Sequence, residues 1–399
     1  MTNKITWEKK ERLLSLDLFR GLVMFLLVAE GAGLYHTWLA ATEPGSFLHG
    51  LALQFHHHPW NGLRFWDLVQ PYFMFIVGVA MWFSVRKREG RGDPRRKITL
   101  HMLRRCLLLL AFGVGLHITY RGRLVWELWN VLSQLSVTIL IAYALMRLPG
   151  RTQLLVSVGL LVLSEVLYRF TGIPGYDQPF VKDHNFGSFM DMVLMGKINN
   201  GGGWVAINCI PTTAHTIWGV LAGRLLASTR THKKKIVTLL IYGGTALWLG
   251  YILHWTGADP IIKRICTASF VLTSGGWALL TLALFFWIVD VKGYRRWTWF
   301  FAVVGMNPIF IYLFMETAGR KWLVGLSGSF ITDGLVRLGA GEHFSLFVNS
   351  LAVLFMGWGL CYWLYRNRIF IKINGGCARQ PTQKEDREAL RKLCRGRML

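Results

Sequence analysis

His57 and Asp67 are two residue types that can transfer protons or attack an acyl group, and they lie ten residues apart. An imidazole titrates near neutrality and can accept a proton. A carboxylate that accepts the N–H of such a ring fixes its tautomer and raises its basicity. Asp67 opens a long apolar segment, where an ionisable group is costly and therefore functional by default. We expect the intervening loop to fold back and join the pair.

Other interpretations of these two residues stay open. His57 belongs to a run of three histidines, residues 56–58, and such a run also suits a solvated loop or a metal-binding tract. No cysteine or carboxylate lies at close ligand spacing, so we expect no metal. Asp67 could instead stabilise the positive end of a helix.

The composition indicates that membrane helices position these residues. Of the 399 residues, 53% are hydrophobic and 17% charged, whereas soluble domains carry about 25% charged residues. Apolar segments of about 20 residues recur, each long enough to cross a bilayer as a helix. We therefore expect an all-α, polytopic membrane helix bundle with about ten transmembrane helices. The predicted spans are 16–39, 65–85, 98–118, 128–146, 153–170, 204–227, 236–254, 265–289, 298–316 and 345–365.

The net charge of +24 points to membrane topology and not to a nucleic-acid partner, because the basic residues cluster in alternate short loops. The positive-inside rule places those loops and both termini in the cytoplasm. Loops 40–64, 171–203 and 317–344 then face the other side. We divide the chain into a cytoplasmic segment 1–15, a transmembrane domain 16–370 and a basic cytoplasmic tail 371–399, with membrane lipids as partners. The polar N-terminus predicts no cleavable signal peptide.

Basic residues near the cytoplasmic ends of the spans are candidates for binding a phosphate-bearing donor. Asp17 and Arg20 are three residues apart, share a helix face and can pair. Such a pair could simply fix the helix end. Alternatively, Arg20 together with Arg104 and Arg105 attracts phosphate, which the guanidinium fork suits.

Four polar residues are predicted inside or beside the apolar segments. Glu30 lies deep in the first span, next to glycines that allow close helix approach. Asn307 precedes Pro308, which breaks a helix and frees backbone groups, and such broken spans often line a cavity. Glu316 lies near the outer end of the ninth span. His215, in the sixth, suits a hydrogen-bonded core histidine as well as a functional one.

Several motifs resemble the heparan-α-glucosaminide N-acetyltransferase family. The most specific is the cluster of His57, Trp60-Asn61-Gly62-Leu63 and Asp67. The resemblance covers almost the whole chain in order. Its other segments are Arg12–Gly21, Asp67–Gly78, Val131–Leu135, Leu221–Arg224, Lys263–Val271, Val289–Gly293, Gly305–Glu316 and Leu364–Phe370.

The resemblance implies a membrane acetyltransferase that moves an acetyl group from cytosolic acetyl-CoA to the amine of a glucosamine at the other membrane face. Its catalytic histidine, three residues before the Trp of the motif, falls on His57, and its carboxylate falls on Asp67. His57 would either take the amine proton or attack first and carry the acetyl group. Asn61, or a backbone N–H in the Asn61-Gly62 turn, is the candidate for stabilising the oxyanion.

The same resemblance adds substrate-binding candidates. Gln134 joins Arg20, Arg104 and Arg105 as a donor-binding residue, although the lysosomal member reads Gln-Arg at Ser133-Gln134, so one charge is absent. The candidates for binding the acceptor sugar are Glu30, Trp60, Asn307 and Glu316.

The lysosomal member also carries an N-terminal luminal region and span that this sequence lacks, which favours a bacterial inner-membrane relative. Free glucosamine or another small amino sugar is then the expected acceptor, and a homodimer is left open. The rival function is a secondary transporter of a sugar or amino sugar, with Glu30, Asp67 and Glu316 as proton or substrate sites. The loop histidine distinguishes the two, because a transporter does not need it.

Overall fold

The computed structural model describes residues 13–199 and 201–371, so the predictions for residues 1–12 and for the tail beyond residue 371 lie outside the described part. Within that part the chain is helical and has no β-strand. A single isolated antiparallel bridge joins Asn61 to Ile262 there. The prediction of an all-α fold is confirmed for these residues.

Six helices of the described chain are long and apolar enough to cross a membrane, which supports an integral helical membrane bundle. They are Phe65–Glu89, Arg95–Arg121, Gly150–Phe170, His232–Trp255, Ala268–Val291 and Glu342–Arg366. Two bent pairs raise the number to eight if each pair is one span: Leu14–Gly31 with Leu34–Ala40, and Thr298–Val304 with Pro308–Arg337.

The two remaining predicted spans are shorter or less apolar in the structure. Segment 128–146 forms a helix of 15 residues, Val131–Leu145, which is about 22 Å long and falls short of a hydrocarbon core of about 30 Å. Segment 204–227 forms the 19-residue helix Cys209–Ala227, which does not pass the same test of length and apolarity. The count of ten therefore stays a prediction.

The chain divides into two compact units, and the first comprises residues 44–284. We number the α-helices in chain order, with α1 (Leu14–Gly31) and α2 (Leu34–Ala40) in the second unit. Helix α9 lies at the centre of the first unit and packs against α4, α6 and α7. The helices of this unit are α3 (Phe47–Leu53), α4 (Val69–Glu89), α5 (Arg95–Arg121), α6 (Val131–Leu145), α7 (Gly150–Phe170), α8 (Phe186–Met195), α9 (Cys209–Ala227), α10 (His232–Trp255) and most of α11 (Ala268–Phe285).

Two glycines let the backbones of α4 and α9 touch. A Cβ added to Gly78 would clash with the carbonyl of Thr216, and one added to Gly219 would clash with the carbonyl of Phe75. Small residues at such crossings allow close helix packing in membranes. This contact fixes α4, which directly follows the turn that carries Asp67.

The second unit comprises residues 13–43 and 285–371 of the described chain. Besides α1 and α2 it contains α12 (Thr298–Val304), α13 (Pro308–Phe314), α14 (Arg320–Arg337), α15 (Glu342–Arg366) and two π-helical turns, Phe286–Val291 and Met315–Gly319. Helix α1 packs against α12, and α14 packs against α15. Asp290 accepts the backbone N–H groups of Leu14 and Ser15 at 3.2 Å and so satisfies the free N-terminus of α1.

The structure corrects two of the predicted loops and one predicted span. Loop 317–344 is largely helical, because α14 continues from the Pro308 helix through a π turn to Arg337. Loop 171–203 contains α8, whose N-terminus is capped by Asn185. The first span is not continuous but bends by 60° after Gly31. The break predicted at Asn307-Pro308 is present, with a bend of 66°.

Candidate active site

His57 and Asp67 lie in direct contact in the first unit. The Nδ1 atom of His57 is 2.9 Å from Oδ1 of Asp67. The Asp67 side chain is 1% exposed, whereas that of His57 is 34% exposed. The carboxylate is therefore buried, whereas about a third of the histidine side chain stays accessible.

Asp67 is held by the loop that precedes it. It lies in a 3₁₀ turn, Phe65–Leu68, directly before α4. Its second oxygen, Oδ2, accepts the backbone N–H of Arg64 at 3.0 Å and that of His58 at 3.2 Å. Arg64 also donates from its guanidinium to the carbonyl of His57 at 3.1 Å. The loop thus folds back over the start of the helix, as the spacing predicted, and Asp67 also acts as a cap of its own turn.

Lys263 is a third charged residue at this site, and the sequence interpretation did not single it out. Its Nζ lies 3.1 Å from Nδ1 of His57 and 3.6 Å from Oδ1 of Asp67. The lysine side chain is 6% exposed, and it comes from a loop 206 residues later in the chain. The signal available was the segment Lys263–Val271, which shared the family resemblance without any marked role.

Lys263 lies in a tight turn whose backbone is bonded to the loop that follows His57. The backbone N–H of Gly62 donates to the carbonyl of Ile261 at 2.8 Å, next to the bridge between Asn61 and Ile262. The turn is closed by the N–H of Ile262, which donates to the hydroxyl of Thr267 at 3.0 Å. The motif loop and the lysine loop are therefore joined backbone to backbone.

Gly62 shows why this motif position favours glycine. Its φ is +149°, a conformation that L side chains rarely adopt, and an added Cβ would lie 2.6 Å from Nε2 of His58. Because the N–H of Gly62 donates to the carbonyl of Ile261, it is not available to an oxyanion, and of the backbone N–H groups in the turn that of Asn61 stays the predicted candidate. Asn61 itself is exposed and keeps its predicted role as a prediction.

Tryptophans line the site around the imidazole. The ring centroid of His57 lies 5.5 Å from that of Trp204 and 6.4 Å from that of Trp66. The guanidinium of Arg264 lies 5.6 Å from the centroid of Trp204, and Arg264 donates to the carbonyl of Gly202. These rings give an apolar wall beside a polar pair, as in ligand sites generally.

The surroundings of His57 favour its neutral form. Burial and then the charge of Lys263 lower the pKa of His57 to about 4, although the hydrogen bond and charge of Asp67 act in the opposite direction. The ring is therefore neutral at pH 7. With Nδ1 donating to Asp67, the lone pair lies on Nε2, which has no hydrogen-bond partner among the described residues. A neutral imidazole with a free nitrogen can act as a base or a nucleophile.

Trp60, another predicted site residue of this unit, lies in the motif loop. Its indole N–H is engaged in a hydrogen bond that anchors this loop. Its indole N–H donates to the carbonyl of Phe180 at 2.7 Å, and its ring packs with the buried cluster around Tyr168 and Phe186. It anchors the motif loop to the segment before α8. A contact with substrate stays a prediction.

Gln134, Arg104 and Arg105, the donor-binding candidates of the first unit, do not form one cluster. Gln134 is buried on α6 and accepts a hydrogen bond from Gln70, one turn after Asp67. Its neighbour Ser133 packs against Gly113, which lies eight residues, or about 12 Å along α5, from Arg105. Arg104 is exposed on α5. Gln134 therefore lies nearer to Asp67 than to the two arginines.

The candidates of the second unit have contacts of their own. Arg20 pairs with Asp17 at 2.9 Å, as the spacing predicted. Both ends of the buried Asn307 amide bind the chain after α15: Nδ2 donates to the carbonyl of Ile369 at 3.0 Å, and Oδ1 accepts the N–H of Ile371 at 2.8 Å. Glu30 is half-buried at the end of α1, where the helix bends, and Glu316 is half-buried in the π turn after α13.

Two alternatives raised by the sequence can be compared with these contacts. His215 is fully buried and its Nε2 lies 2.9 Å from the hydroxyl of Ser274 and 3.2 Å from the carbonyl of Val271, as a core histidine would. In residues 13–199 and 201–371, no group of three or more His, Cys, Asp or Glu side chains is arranged to hold a metal ion.

Comparisons with known proteins agree with the resemblance. Residues 12–256 match the family model described as heparan-alpha-glucosaminide N-acetyltransferase, catalytic. The heparan-alpha-glucosaminide N-acetyltransferases of Mus musculus and Homo sapiens are each 25% identical over 426 residues, covering 91% of this chain and 60% of theirs. The chain thus spans 60% of the length of these relatives. His57, Asp67 and Trp204 lie within the family match, whereas Lys263 follows it. This chain belongs to the heparan-alpha-glucosaminide N-acetyltransferase catalytic family.

Proposed function

We propose that this chain is a membrane acetyltransferase that moves an acetyl group from cytosolic acetyl-CoA to the amine of a glucosamine-type sugar at the periplasmic side of a bacterial inner membrane. The observation that carries the proposal is the contact of a neutral, partly exposed His57 with the buried Asp67. The family match supports it, because the matching relatives are named as N-acetyltransferases of a glucosaminide.

The chemistry assigned to His57 is the removal of the proton that an attacking amine must lose. As the sugar nitrogen bonds to the thioester carbonyl carbon, Nε2 accepts the N–H proton. The C–S bond then breaks, and the leaving CoA thiolate takes up this proton to become the free thiol. Alternatively, Nε2 attacks the carbonyl, displaces the thiol and passes the acetyl group to the amine. Both routes need the lone pair on Nε2 and the Nδ1–H bond to Asp67.

The residues assigned to the substrates follow from chemistry alone. The phosphates of the donor need cationic partners, and Arg20, Arg104 and Arg105 are the proposed ones, near the predicted cytoplasmic ends of the spans. Gln134, close to Asp67 by way of Gln70, would contact the acyl end of the donor. Glucosamine or another small amino sugar is the proposed acceptor.

A vesicle experiment tests this proposal. The purified protein is reconstituted in sealed vesicles that contain glucosamine, and acetyl-CoA with a labelled acetyl group is added outside. We expect labelled N-acetylglucosamine inside the vesicles. Its absence, with a protein that is folded and inserted, would contradict the proposal.

The same vesicles also test the second candidate, a secondary transporter of amino sugars. The observation in its favour is the pair of broken helices, with bends of 60° and 66°, since discontinuous helices line many transport sites. A transporter would move labelled glucosamine across the membrane without acetyl-CoA. Transport of unmodified sugar with no acetylated product would favour this second function.

A further inference from the structure

Lys263 is close enough to His57 to control the charge of the ring. We propose that Lys263 is a positioning residue that keeps His57 neutral, whereas Asp67 directs the lone pair of the ring to Nε2. This inference builds on the role proposed for His57. It does not require that the reaction be acetyl transfer.

Lys263 acts on His57 through its charge. The Nζ atom of Lys263 lies 3.1 Å from Nδ1 of His57, and a cation at that distance disfavours the imidazolium. The other charged groups that face His57 are Asp67 from the start of α4, Arg264 from the lysine turn and Arg64 from the motif loop. Lys263 and Arg264 both disfavour a charged ring that has one carboxylate partner, and burial acts in the same direction as these two cations.

The contacts of Nδ1 decide which ring nitrogen of His57 carries the proton. Nδ1 is within hydrogen-bond distance of an acceptor, Asp67 at 2.9 Å, and of a donor, Lys263 at 3.1 Å. Lys263 also lies 3.6 Å from the same carboxylate oxygen, so the lysine and the ring share it. Asp67 sets the tautomer because it accepts the Nδ1–H, so the lone pair lies on Nε2, and the same carboxylate holds the lysine beside the ring.

Lys263 is held in this position by the backbone of its own turn. A lysine that is almost fully buried is rare unless it is paired. Here its turn contains Cys266 at a φ of +55°, and the N–H of Cys266 donates to the carbonyl of Lys263 at 3.1 Å. The turn is joined to Gly62 five residues after His57. The lysine therefore approaches the ring through a fixed backbone.

A simpler role would be to balance the charge of Asp67. That role predicts a loss of stability when Lys263 is replaced, without a change in the titration of His57. The titration therefore distinguishes the two roles, and it can be measured without any assay of acetyl transfer.

The experiment follows the reaction of His57 with diethyl pyrocarbonate, which acylates neutral imidazole but not the protonated imidazolium. The modification rate of His57 in the full chain is measured from about pH 3, below the wild-type pKa, to about pH 8 by mass spectrometry, with fragment ions that separate it from His56 and His58. The variants are Lys263→Met, Lys263→Gln and Lys263→Arg. The matched control is Lys182→Met, because Lys182 is a partly exposed lysine of the same unit that donates to the carbonyl of Gly201 at 3.4 Å.

We expect the midpoint of modification to rise by about one pH unit or more in Lys263→Met and Lys263→Gln, because the imidazolium loses a repelling neighbour. Lys263→Arg and Lys182→Met should keep the wild-type midpoint. An unchanged midpoint in either neutral variant, with a normal elution profile, would overturn the proposal, and so would an equal shift in Lys263→Arg. If the midpoints shift as expected while the wild-type protein transfers no acetyl group, the inference holds and the proposed function fails.

Discussion

At the scale of single residues, the site depends on an imidazole that stays neutral beside a buried carboxylate. Asp67 gives one oxygen to the His57 ring and the other to two backbone N–H groups, so it orients the ring and fixes the loop together. Lys263 opposes the charge that Asp67 would otherwise induce on the ring. The opposing effects of Asp67 and Lys263 on the pKa of His57 determine whether the ring is neutral when substrate binds.

Replacing Asp67 by Asn should lower the rate and also move the pH profile. The bond and charge of Asp67 raise the pKa of His57, so their loss should lower that pKa below its present value of about 4. The acidic limb of kcat/KM, along which activity falls as the ring gains a proton, should move to lower pH. We expect kcat to fall by at least about tenfold, because the ring loses its orientation. Steady-state kinetics across pH measure both effects.

The control for this variant is Asp177→Asn, which changes an exposed carboxylate in the same unit. It should leave both the rate and the profile unchanged. A shift of the acidic limb to higher pH in Asp67→Asn would show that the carboxylate acts on His57 in the opposite way.

The sequence predicted the His57–Asp67 contact because both residues lie in one short segment before a helix. A connection of only ten residues limits how far His57 can lie from Asp67. Lys263 could not be found in this way, since 206 residues separate it from His57 and only the folded backbone bridge at Asn61 and Ile262 brings it near. Long-range placement of this kind leaves no periodic pattern in the sequence.

At the scale of helices, the site rests on the contact between α4 and α9. Gly78→Ala should destabilise the protein, because its Cβ would clash with the carbonyl of Thr216, which belongs to the backbone and cannot rotate away. Overpacking of this kind costs about 1–3 kcal/mol. We expect a thermal midpoint several degrees lower, measured on purified protein in detergent.

Gly159→Ala is the matched control for that substitution. Gly159 is also a helical glycine in a predicted span, on α7, but nothing lies within 4 Å of an added Cβ. Its midpoint should stay the same or rise, since alanine favours helix more than glycine does. Equal midpoints for the two variants would count against the importance of the α4–α9 contact.

The sequence predicted helices well where apolar runs were uninterrupted, as at Phe65–Glu89 and His232–Trp255. It was wrong about α14 and α8, which it placed in loops. Charged residues at Arg320, Lys321 and Arg337 lie at the ends of α14, and such end charges lower the apolar content without breaking a helix. The bend at Gly31 also escaped prediction, because one glycine inside an apolar run does not by itself end a span.

At the scale of the whole molecule, the proposed reaction requires that the histidine loop and the basic loops face opposite sides of the membrane. A cysteine at Leu48, which is 54% exposed, should react with an impermeant thiol reagent in intact cells. A cysteine at the exposed Arg91 should react only after lysis. The native cysteines are replaced first, so that each label reports one position.

The reverse pattern of labelling would invert the predicted topology and would contradict transfer from a cytosolic donor to a periplasmic sugar. This prediction follows from the distribution of lysine and arginine alone. Composition and charge thus predicted a helical membrane protein and an orientation to test. They did not reveal the bend after Gly31, whereas Pro308 did predict the break before α13.

The measurement that tests the account most directly compares sugar-dependent CoA release by the wild-type protein and by His57→Ala. Purified protein receives acetyl-CoA with and without glucosamine, and free CoA and acetylated sugar are both quantified. We predict equal amounts of the two products for the wild type, a loss of about a hundredfold or more for His57→Ala, and nearly full activity for His56→Ala and His58→Ala. A folded wild type that releases no CoA on addition of glucosamine, or a His57→Ala variant that keeps the wild-type rate, would contradict the account.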